Sequence, residues 1–327
     1  MLLLSQTDIV KHFSMNEAID ATKQALKTYS EGQAVVPLRT NVGVASHNGQ
    51  SLFMPAYVGS DVDAFGMKIV SVYPDNVDKN LPSVPATVIV LNPATGIVDA
   101  VMDGTYLTQL RTGAVQGAAT ELLARKDAEI GALIGTGGQA ASQLEAMLTV
   151  RNLKEVRVFS RNIEHAETFA KKMAERFDCK IFATKTCQEC VENADIITTV
   201  TTSNLPTFKA EWIKPGAHIN GMGSYTPDMQ EMPKEILQKA DAIVFDTTDG
   251  VLEEAGDFLI PLKEGSINKD NFKGELGQLI LGEISGRKSE TDITIFKSVG
   301  SAVLDVVAGQ AIVKKAKALG FGTEIQM

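Results

Sequence analysis

The sequence predicts an α/β protein in which a doubly wound parallel sheet follows a smaller α+β domain. From residue 130 onward, short apolar runs alternate with segments of helical periodicity, which is typical of a parallel sheet covered by helices. Before residue 100 the runs are rich in β-branched residues, and turn residues such as Asn48-Gly49 and Asn92-Pro93 separate them. That earlier pattern predicts an antiparallel sheet in a domain of its own.

Length and charge limit the function classes. The chain has 327 residues, enough for about two domains with full hydrophobic cores. Its net charge of -9 argues against nucleic acid as a partner, because phosphate binding favours a basic surface. No apolar run approaches the roughly 18 residues of a membrane span, so no membrane partner is expected. Three cysteines and the lack of a leader-like start predict a cytoplasmic protein.

The first domain begins with a predicted pair of amphipathic helices over residues 7–31. Ser14 and Glu17 have the spacing of a capping box at the start of the second helix. Strands are predicted at residues 39–45, 51–57, 64–73, 86–92 and 96–102. Residues 103–123 predict a helix that leads out of this sheet.

The second domain has predicted strands at residues 130–134, 156–160, 180–183, 196–200, 218–220, 242–245 and 293–296. Helices are predicted between most of them, for example over residues 139–150. A last helix over residues 301–319 follows the final strand, and its return to the first domain would make that domain discontinuous. The predicted boundaries are residues 1–115 with 303–327 for a substrate-binding and dimerisation domain, and residues 116–302 for a dinucleotide-binding domain.

A glycine-rich turn follows the first strand of the second domain, with the sequence Gly135-Thr136-Gly137-Gly138-Gln139-Ala140. Gly135 can take a tight turn, Gly137 lets the backbone approach a phosphate, and Ala140 allows close packing of helix on strand. The helix that follows would point free N–H groups at the anion. This spacing alone is equally consistent with a plain glycine turn. A predicted strand precedes the turn and a predicted helix follows it, however, and that is the context of a Rossmann dinucleotide site. All six residues are therefore predicted to bind the cofactor.

The end of the second strand of the second domain, predicted at residues 156–160, helps to indicate which dinucleotide is bound. It reads Ser160-Arg161-Asn162, without the carboxylate that usually accepts hydrogen bonds from the ribose hydroxyls of NAD. Arg161 could pair with a 2′-phosphate through its planar fork, and Ser160 and Asn162 could donate further hydrogen bonds. An ordinary surface arginine is the alternative. The prediction is that NADP(H) is preferred and that NAD(H) remains possible.

Three isolated cations stand in apolar or small-residue settings of the first half, namely Arg39, Lys68 and Arg111. Solvated surface charges are the simplest explanation for each. Charges in such settings are, however, rarely buried unless they meet an anion.

A pair of cysteines has the spacing C-x-x-C at Cys187 and Cys190. Zinc would need two more ligands, and the one further cysteine, Cys179, has no histidine cluster near it. Two ordinary thiols on a helix are predicted, and no metal site.

Several motifs in one order resemble the ornithine cyclodeaminase/μ-crystallin family over essentially the whole chain. They are Phe53-Met54-Pro55-Ala56, Phe65-Gly66-Met67-Lys68, Arg111-Thr112-Gly113-Ala114, the glycine-rich turn, and Phe296-Lys297-Ser298-Val299-Gly300. The resemblance implies a Rossmann domain and an N-terminal domain completed by the C-terminal helix. It also implies a homodimer that uses a nicotinamide cofactor on amino acids or their imines. The family's carboxylate-binding arginine, lysine and arginine would be Arg39, Lys68 and Arg111.

Two departures separate this chain from the ornithine cyclodeaminases that it resembles. Tyr225 stands where those enzymes have an aspartate that handles the substrate amine, and Asp228 falls three residues later. Leu52-Phe53 precede Met54, where those enzymes have an acidic residue. The run from Gly223 to Asp228 is instead similar to the ketimine-reducing members.

The predicted reaction is therefore NAD(P)H-dependent reduction of a ketimine bearing an α-carboxylate, with Δ1-pyrroline-2-carboxylate to L-proline as the leading case. The three cations would hold the carboxylate so that the imine carbon lies about 3 to 3.5 Å from nicotinamide C4. Lys68 and Tyr225 are the predicted catalytic residues, although Tyr225 could merely line the pocket and a water could supply the proton. The residues at strand ends that are predicted to flank the cofactor are Thr201, Thr202, Ser203 and Lys297, and ordinary strand-end residues without a cofactor role are the alternative.

Other activities stay open at this point. Ornithine cyclodeaminase and alanine dehydrogenase would share the fold and the carboxylate-binding cations. A non-catalytic NADPH-binding protein of the μ-crystallin kind is a further alternative.

Overall fold

The computed structural model describes residues 1–326, apart from the side chain of residue 77. Its chain divides into two compact units, Met1–Arg111 with Ser301–Met327 and Thr112–Gly300. Among the described residues, each unit has a sheet of eight strands. The predicted roles of the two domains, substrate binding with dimerisation and dinucleotide binding, stay predictions.

The strands are β1 (Leu2–Leu4), β2 (Ala34–Val35), β3 (Thr40–Val44), β4 (Gly49–Val58), β5 (Ala64–Val72), β6 (Ala86–Leu91), β7 (Val98–Asp103), β8 (Ile130–Ile134), β9 (Glu155–Phe159), β10 (Lys180–Ala183), β11 (Ile196–Thr199), β12 (His218–Gly221), β13 (Ala242–Phe245), β14 (Phe272–Glu275), β15 (Thr294–Lys297) and β16 (Thr323–Glu324). The helices are α1 (Gln6–His12), α2 (Met15–Ser30), α3 (Gly104–Leu123), α4 (Ala140–Val150), α5 (Ile163–Ala174), α6 (Cys187–Val191), α7 (Lys234–Lys239), α8 (Thr248–Glu254), α9 (Gly256–Lys263), α10 (Leu276–Leu281) and α11 (Ala302–Leu319).

The sheet of the first unit has the order β16-β1-β7-β6-β5-β4-β2, with β3 paired to β4. The predicted strands of this unit, β3 to β7, pair antiparallel as expected. One strand that was not predicted, β1, runs parallel to β7. A strand of three residues has too few side chains to show alternation, so its pattern gave no signal. No hairpin joins β1 to β7, so local chain geometry does not force an antiparallel pairing.

Helix α11 packs on the sheet of the first unit. Gly309 comes so close that a Cβ atom there would lie 3.1 Å from Val90 Cγ2 and 3.4 Å from Val88 Cγ1. The buried side chains of the helix include Val303, Val306 and Ile312. This close approach brings one carboxylate of α11, Asp305, into the interior of the unit.

The predicted capping box of α2 is present. Ser14 Oγ accepts a hydrogen bond from Glu17 N, and the Glu17 carboxylate accepts one from Ser14 N. Two free N–H groups at the start of the helix are thereby satisfied, which is typically worth about 1 kcal/mol.

The sheet of the second unit has the order β10-β9-β8-β11-β12-β15-β13-β14. Every neighbouring pair in it is parallel, which confirms the predicted α/β class. Strands β11, β12, β13 and β15 are buried along their whole length, as expected where both faces of a sheet are covered. All carboxyl ends therefore lie along one edge, which places the loops after β8, β9, β11 and β12 side by side.

Candidate cofactor and substrate sites

The glycine-rich turn lies directly after β8 in the second unit. Gly135 has φ of +110°, and a Cβ atom there would lie 2.6 Å from the Val200 carbonyl oxygen. Both facts require glycine, because other residues rarely adopt this φ and the neighbouring backbone leaves no room. Gly137, in contrast, has open space where a Cβ atom would stand. The turn therefore packs on its protein side and is open where a phosphate is expected.

Helix α4 begins at Ala140, immediately after this turn. Its N-cap residue, Gln139, makes no side-chain hydrogen bond to the first turn of the helix. The first N–H groups of a helix have no partner within the helix, and they favour an anion. Thr136 and Gly138 complete the turn between the strand and this helix. The arrangement suits a pyrophosphate, and cofactor binding by these six residues stays a prediction.

The residues after β9 are placed differently from one another. Ser160 is half-buried and Arg161 is exposed. Asn162 caps α5, because its side-chain oxygen accepts a hydrogen bond of 2.9 Å from Glu164 N. Because this oxygen caps the helix, only the amide nitrogen of Asn162 is left to form a hydrogen bond with a cofactor. The first carboxylate after β9 is Glu164, inside the first turn of α5.

The loop after β11 is held by a carboxylate that sequence reasoning did not find. Glu231 Oε1 accepts hydrogen bonds from the N and Oγ1 of Thr201, at 2.6 and 2.8 Å. Its other oxygen accepts from Gly223 N at 2.7 Å and Ser224 N at 3.0 Å. Burial raises the pKa of the Glu231 carboxyl, and the charge of Lys297 opposes that shift. The loops after β11 and β12 thus share one buried side chain. They lie at the carboxyl ends of the strands, the edge where the cofactor is predicted to bind, and we call this the cofactor edge.

Of the other predicted residues in the loop after β11, Thr202 is exposed and Ser203 is half-buried. Ser203 Oγ donates to the Leu205 carbonyl oxygen at 2.7 Å. That hydroxyl also accepts from Leu205 N at 3.2 Å. Neither residue takes part in the bonds to Glu231, and cofactor binding by both stays a prediction.

Lys297 lies at the end of β15 and is completely buried. Its Nζ atom is 2.8 Å from Asp257 Oδ2. Asp257 Oδ1 accepts hydrogen bonds from the backbone N of Glu231 and Met232, at 2.7 and 2.9 Å. The structure thus gives the ammonium group of Lys297 a protein partner, so its contact with the cofactor stays a prediction.

Tyr225 follows Ser224 in the loop after β12 and is 38% exposed. Burial of the rest of the side chain raises the pKa of its phenol. The group therefore stays protonated at neutral pH. A phenol in this state can donate a hydrogen bond, but it gives up its proton less readily than an ordinary tyrosine.

The predicted substrate-binding cations belong to the first unit. Lys68 is 1% exposed, and its Nζ atom lies 2.7 Å from Asp305 Oδ2. Arg111 is also buried, and its Nε donates to Asp305 Oδ1 at 2.9 Å. Arg39 is half-buried and near enough to influence the ionisation of Lys68. Lys68 and Arg111 thus share one carboxylate, Asp305, and Arg39 lies close enough to Lys68 to act on its charge. We call these four residues the cationic cluster.

Ionisation of Lys68 is strongly perturbed. Burial lowers its pKa to about 7, the charges of Arg111 and Arg39 act in the same direction, and Asp305 opposes them. A lysine with this pKa exchanges its proton near neutral pH, which is the property of a general acid.

Arg111 retains hydrogen-bonding capacity. Its Nη1 atom is buried and has no hydrogen-bond partner among the residues that the structure describes. Leaving such a donor unpaired in the interior costs about 1 to 3 kcal/mol. An anion beside Arg111 would satisfy this donor, and a substrate carboxylate has the matching chemistry.

Asp305 is the second residue that sequence reasoning missed. It lies in α11 with apolar neighbours, for example Val303, Val306 and Val307, and is completely buried. One signal was available, because a lone carboxylate in an otherwise apolar helix must find a cation if the helix is buried. Its partners could not be read from the pattern, since Lys68 and Arg111 lie far away in the chain.

Leu52 and Phe53, which precede Met54-Pro55, lie on β4 next to the strand that carries Lys68. Met54 is paired with Lys68 across β4 and β5, and Leu52 is paired with Val70. Leu52 and Phe53 are both half-buried. Both side chains are apolar, whereas a substrate with a distal ammonium group, such as ornithine, would need a carboxylate here.

The cysteines of the C-x-x-C spacing lie on α6. Cys187 is half-buried and Cys190 is buried. Burial raises the pKa of the Cys187 thiol to about 12 and raises that of Cys190 as well. Across residues 1–326, no group of three His, Cys, Asp or Glu side chains is placed to hold a metal ion. Over the same residues, no helix is long and apolar enough to cross a bilayer.

Comparison with known proteins identifies the family. The model of the ornithine cyclodeaminase/mu-crystallin family matches residues 1–319. The chain belongs to this family. A member from Bacillus cereus, a Delta(1)-pyrroline-2-carboxylate reductase, is 36% identical, and the match covers 100% of both chains. The resemblance inferred from the motifs is thereby confirmed.

Two solved family structures are also similar. The Delta(1)-pyrroline-2-carboxylate reductase of Thermococcus litoralis, in complex with NADH and L-proline, has a TM-score of 0.94 and 40% identity, covering 99% of this chain and 100% of the other. An archaeal alanine dehydrogenase dimer with bound NAD has a TM-score of 0.91 and 35% identity, covering 100% and 99%. Both support the predicted α/β architecture.

Proposed function

We propose that this chain catalyses the NAD(P)H-dependent reduction of a cyclic ketimine bearing an α-carboxylate, and that the leading substrate is Δ1-pyrroline-2-carboxylate. The observation that carries this proposal is the cationic cluster. Lys68 and Arg111 share the single carboxylate of Asp305, so this group has an excess of positive charge when Lys68 is protonated, and Arg111 Nη1 has no partner among the described residues. A substrate carboxylate would complete the charge balance and the hydrogen bonds.

In this reaction a hydride from the reduced nicotinamide adds to the imine carbon. The C=N double bond becomes a C–N single bond, and the nitrogen takes up one proton. We assign proton donation to Lys68, because its pKa of about 7 suits proton transfer at neutral pH. Tyr225 is the alternative donor, and its raised pKa makes it the weaker acid. Lys68 would return to the protonated form by taking a proton from water.

Similar proteins support the substrate class and also define the alternatives. A relative with 36% identity over its full length is a Delta(1)-pyrroline-2-carboxylate reductase, and a solved relative was obtained with L-proline. Another solved relative is an alanine dehydrogenase. Tyr225 and the apolar pair before Met54 speak against ornithine, because deamination needs a carboxylate to take protons from the amine.

The direct test mixes the purified chain with substrates of each class and follows oxidation or reduction of the nicotinamide. We expect NAD(P)H to be consumed rapidly with Δ1-pyrroline-2-carboxylate and L-proline to form. Faster consumption with pyruvate and ammonium would favour alanine dehydrogenase, and ammonia release from ornithine with NAD⁺ would favour a cyclodeaminase. Tight NADPH binding without turnover of any substrate would indicate a binding protein and refute the enzymatic proposal.

Arg111→Ala tests carboxylate binding by the cationic cluster. We expect kcat/KM for the imine to fall by an amount equivalent to roughly 2 to 5 kcal/mol, because a buried charge pair loses one partner. Arg176→Ala is the matched control, since Arg176 is about half exposed and pairs with Glu145 on the surface. Kinetics of Arg111→Ala equal to those of the control would refute the assignment.

For the cofactor, we propose that NADPH is preferred over NADH. Support comes from Arg161 and from the lack of a carboxylate in Ser160-Arg161-Asn162. The solved relatives with bound NADH or NAD favour the alternative. The test compares kcat/KM for the two cofactors in the wild type and in Arg161→Asp. We expect the preference to shift towards NADH, because a carboxylate repels a 2′-phosphate and accepts from the ribose hydroxyls. An unchanged ratio would refute the role of Arg161.

We also propose a cytoplasmic homodimer. A solved alanine dehydrogenase relative is a dimer, which supports the assembly. Three free cysteines suit a reducing compartment. Light scattering on the purified chain tests the dimer, since a mass near 35.1 kDa would indicate a monomer. Fractionation of cells that express the tagged chain tests the compartment.

A further inference from the structure

The loop after β11 is enclosed by its neighbours on two sides. On one side, a Cβ atom at Gly135 would lie 2.6 Å from the Val200 carbonyl oxygen. On the other, a Cβ atom at Gly223 would lie 2.1 Å from the Thr201 carbonyl oxygen and 2.6 Å from Glu231 Oε1. The backbone of Val200 and Thr201 is thus packed between the turn after β8 and the turn after β12. Movement of any one of these loops would displace the others.

Glu231 is the side chain that binds this assembly together. Its two oxygens accept four hydrogen bonds, two from Thr201 and one each from Gly223 N and Ser224 N. Three of the partners are backbone N–H groups, which only donate, and the Thr201 hydroxyl can donate as well, so an ionised carboxylate satisfies all four bonds at once. Backbone N–H groups cannot rotate away, which makes the positions of both loops depend on this one side chain.

Glu231 is itself held in place from the strand side. Asp257 Oδ1 accepts from the backbone N of Glu231 and Met232, and Asp257 Oδ2 is paired with Lys297. Glu231, Asp257 and Lys297 are each completely buried. A chain of buried contacts therefore runs from the end of β15 through Asp257 and Glu231 to the loops after β11 and β12. We call these three residues the buried triad.

We propose that Glu231 is a positioning residue for the nicotinamide dinucleotide, and that the buried triad sets the geometry of the cofactor edge before the cofactor binds. Ligands of parallel sheets bind beyond the carboxyl ends of the strands, where the loops after β8, β11 and β12 lie. Ordering these loops in advance removes an entropic cost from binding. This role deepens the proposed cofactor site and rests on it.

The first test is Glu231→Gln. A side-chain amide presents one acceptor and one donor, so it can serve the Thr201 pair or the Gly223–Ser224 pair but opposes the N–H groups of the other. We expect the dissociation constant for the reduced cofactor to rise about tenfold in the folded variant. We also expect kcat to fall while KM for the imine stays within about twofold, because the charge pairs of the cationic cluster are formed within the first unit.

Two further variants complete the series. Glu264→Gln is the matched control, because Glu264 is exposed and pairs with Lys234 on the surface of the same unit. It should leave cofactor binding unchanged. Glu231→Asp keeps the charge but withdraws the carboxylate by one methylene, and it should give a smaller loss than Glu231→Gln. Unchanged cofactor affinity in both Glu231 variants, with only a lower melting temperature, would show a merely structural role and overturn the proposal.

The wild-type protein provides a test that does not depend on the folding of any variant. Hydrogen exchange of the Thr201, Gly223 and Ser224 amides is measured without and with reduced cofactor. We expect slow exchange already in the free protein, because Glu231 accepts from all three. Fast exchange that slows only with cofactor would overturn the proposal. These measurements use no imine, so a failure to reduce any imine would refute the proposed reaction alone.

Discussion

Asp305→Asn is the perturbation that most directly examines how the cationic cluster works. Asn keeps the size of the side chain and removes its charge. In the wild type, the negative charge of Asp305 and its hydrogen bond keep the pKa of Lys68 from falling below about 7. The substitution should therefore lower the pKa of Lys68 further, since burial and the charges of Arg111 and Arg39 remain.

The size of the shift follows from the geometry. Opposite charges at the 2.7 Å between Lys68 Nζ and Asp305 Oδ2 would attract by about 6 kcal/mol at an effective dielectric constant of about 20. Desolvation offsets much of this, and the net value of a charged hydrogen bond is about 1.5 to 3 kcal/mol. Because one pKa unit corresponds to about 1.4 kcal/mol, we expect the pKa of Lys68 to fall by about 1 to 2 units.

The assay is the pH dependence of kcat/KM for imine reduction. If protonated Lys68 is the acid, the wild-type rate falls as pH rises through about 7, and in Asp305→Asn the same fall occurs at lower pH. At pH 7 the variant should be slower by about five- to fifty-fold and should recover in acid. KM for the imine should not rise, because a negative charge beside the substrate carboxylate has been removed.

Asp99→Asn is the matched control, because Asp99 pairs with Lys317 at 3.0 Å in the same unit, with Lys317 largely exposed. It should leave the profile unchanged. A profile of Asp305→Asn that is lowered equally at every pH, or that keeps the wild-type midpoint, would show that Lys68 is not the acid or that Asp305 does not control it.

Three more predictions concern stability and cofactor binding. Gly135→Ala should abolish tight binding of the reduced cofactor in a fluorescence titration, because the added methyl group meets the Val200 carbonyl oxygen at 2.6 Å; near wild-type affinity would contradict this. Arg151→Ala should lower the free energy of unfolding in urea by about 3 kcal/mol, because its guanidinium donates to the carbonyl groups that end α3; a loss below about 1 kcal/mol would contradict the capping role. Lys68 has a folded pKa of about 7 against an ordinary value of 10.5, so the unfolded chain binds more protons between these values and stability should rise with pH across that window. The difference in unfolding free energy between wild type and Lys68→Met should therefore change in favour of the wild type from pH 7 to about pH 9, and a constant difference would contradict the shifted pKa.

Local patterns were sufficient for most of the architecture. Strand β8 and strand β13 lie at the predicted residues, and α3 and α11 begin within one residue of their predicted starts. Such elements bury long apolar runs or faces, so their periodicity is recorded in adjacent residues. Strands β1, β2, β14 and β16 were not predicted. They have two to four residues each, too few for a periodic signal, and their pairing depends on partners elsewhere in the chain.

The same distinction applies to the candidate sites. The glycine-rich turn could be predicted, because φ of +110° at Gly135 and the start of α4 five residues later are both local events. The partners of the buried charges could not be predicted from the sequence. Arg111 and Asp305 are separated by 194 residues, and Lys297 and Asp257 by 40. A charge in an apolar setting shows only that some partner is required, and it does not show which one.

By itself, the sequence determined the α/β class, the place of the dinucleotide turn, the family motifs and the three cations. Only the tertiary structure decided that Lys68 and Arg111 share Asp305, that burial lowers the pKa of Lys68 to about 7, and that Glu231 joins the loops after β11 and β12. The physical reason is the range of the interactions. Helix and strand preferences act between neighbouring residues, whereas burial and charge pairing depend on the distances that folding creates.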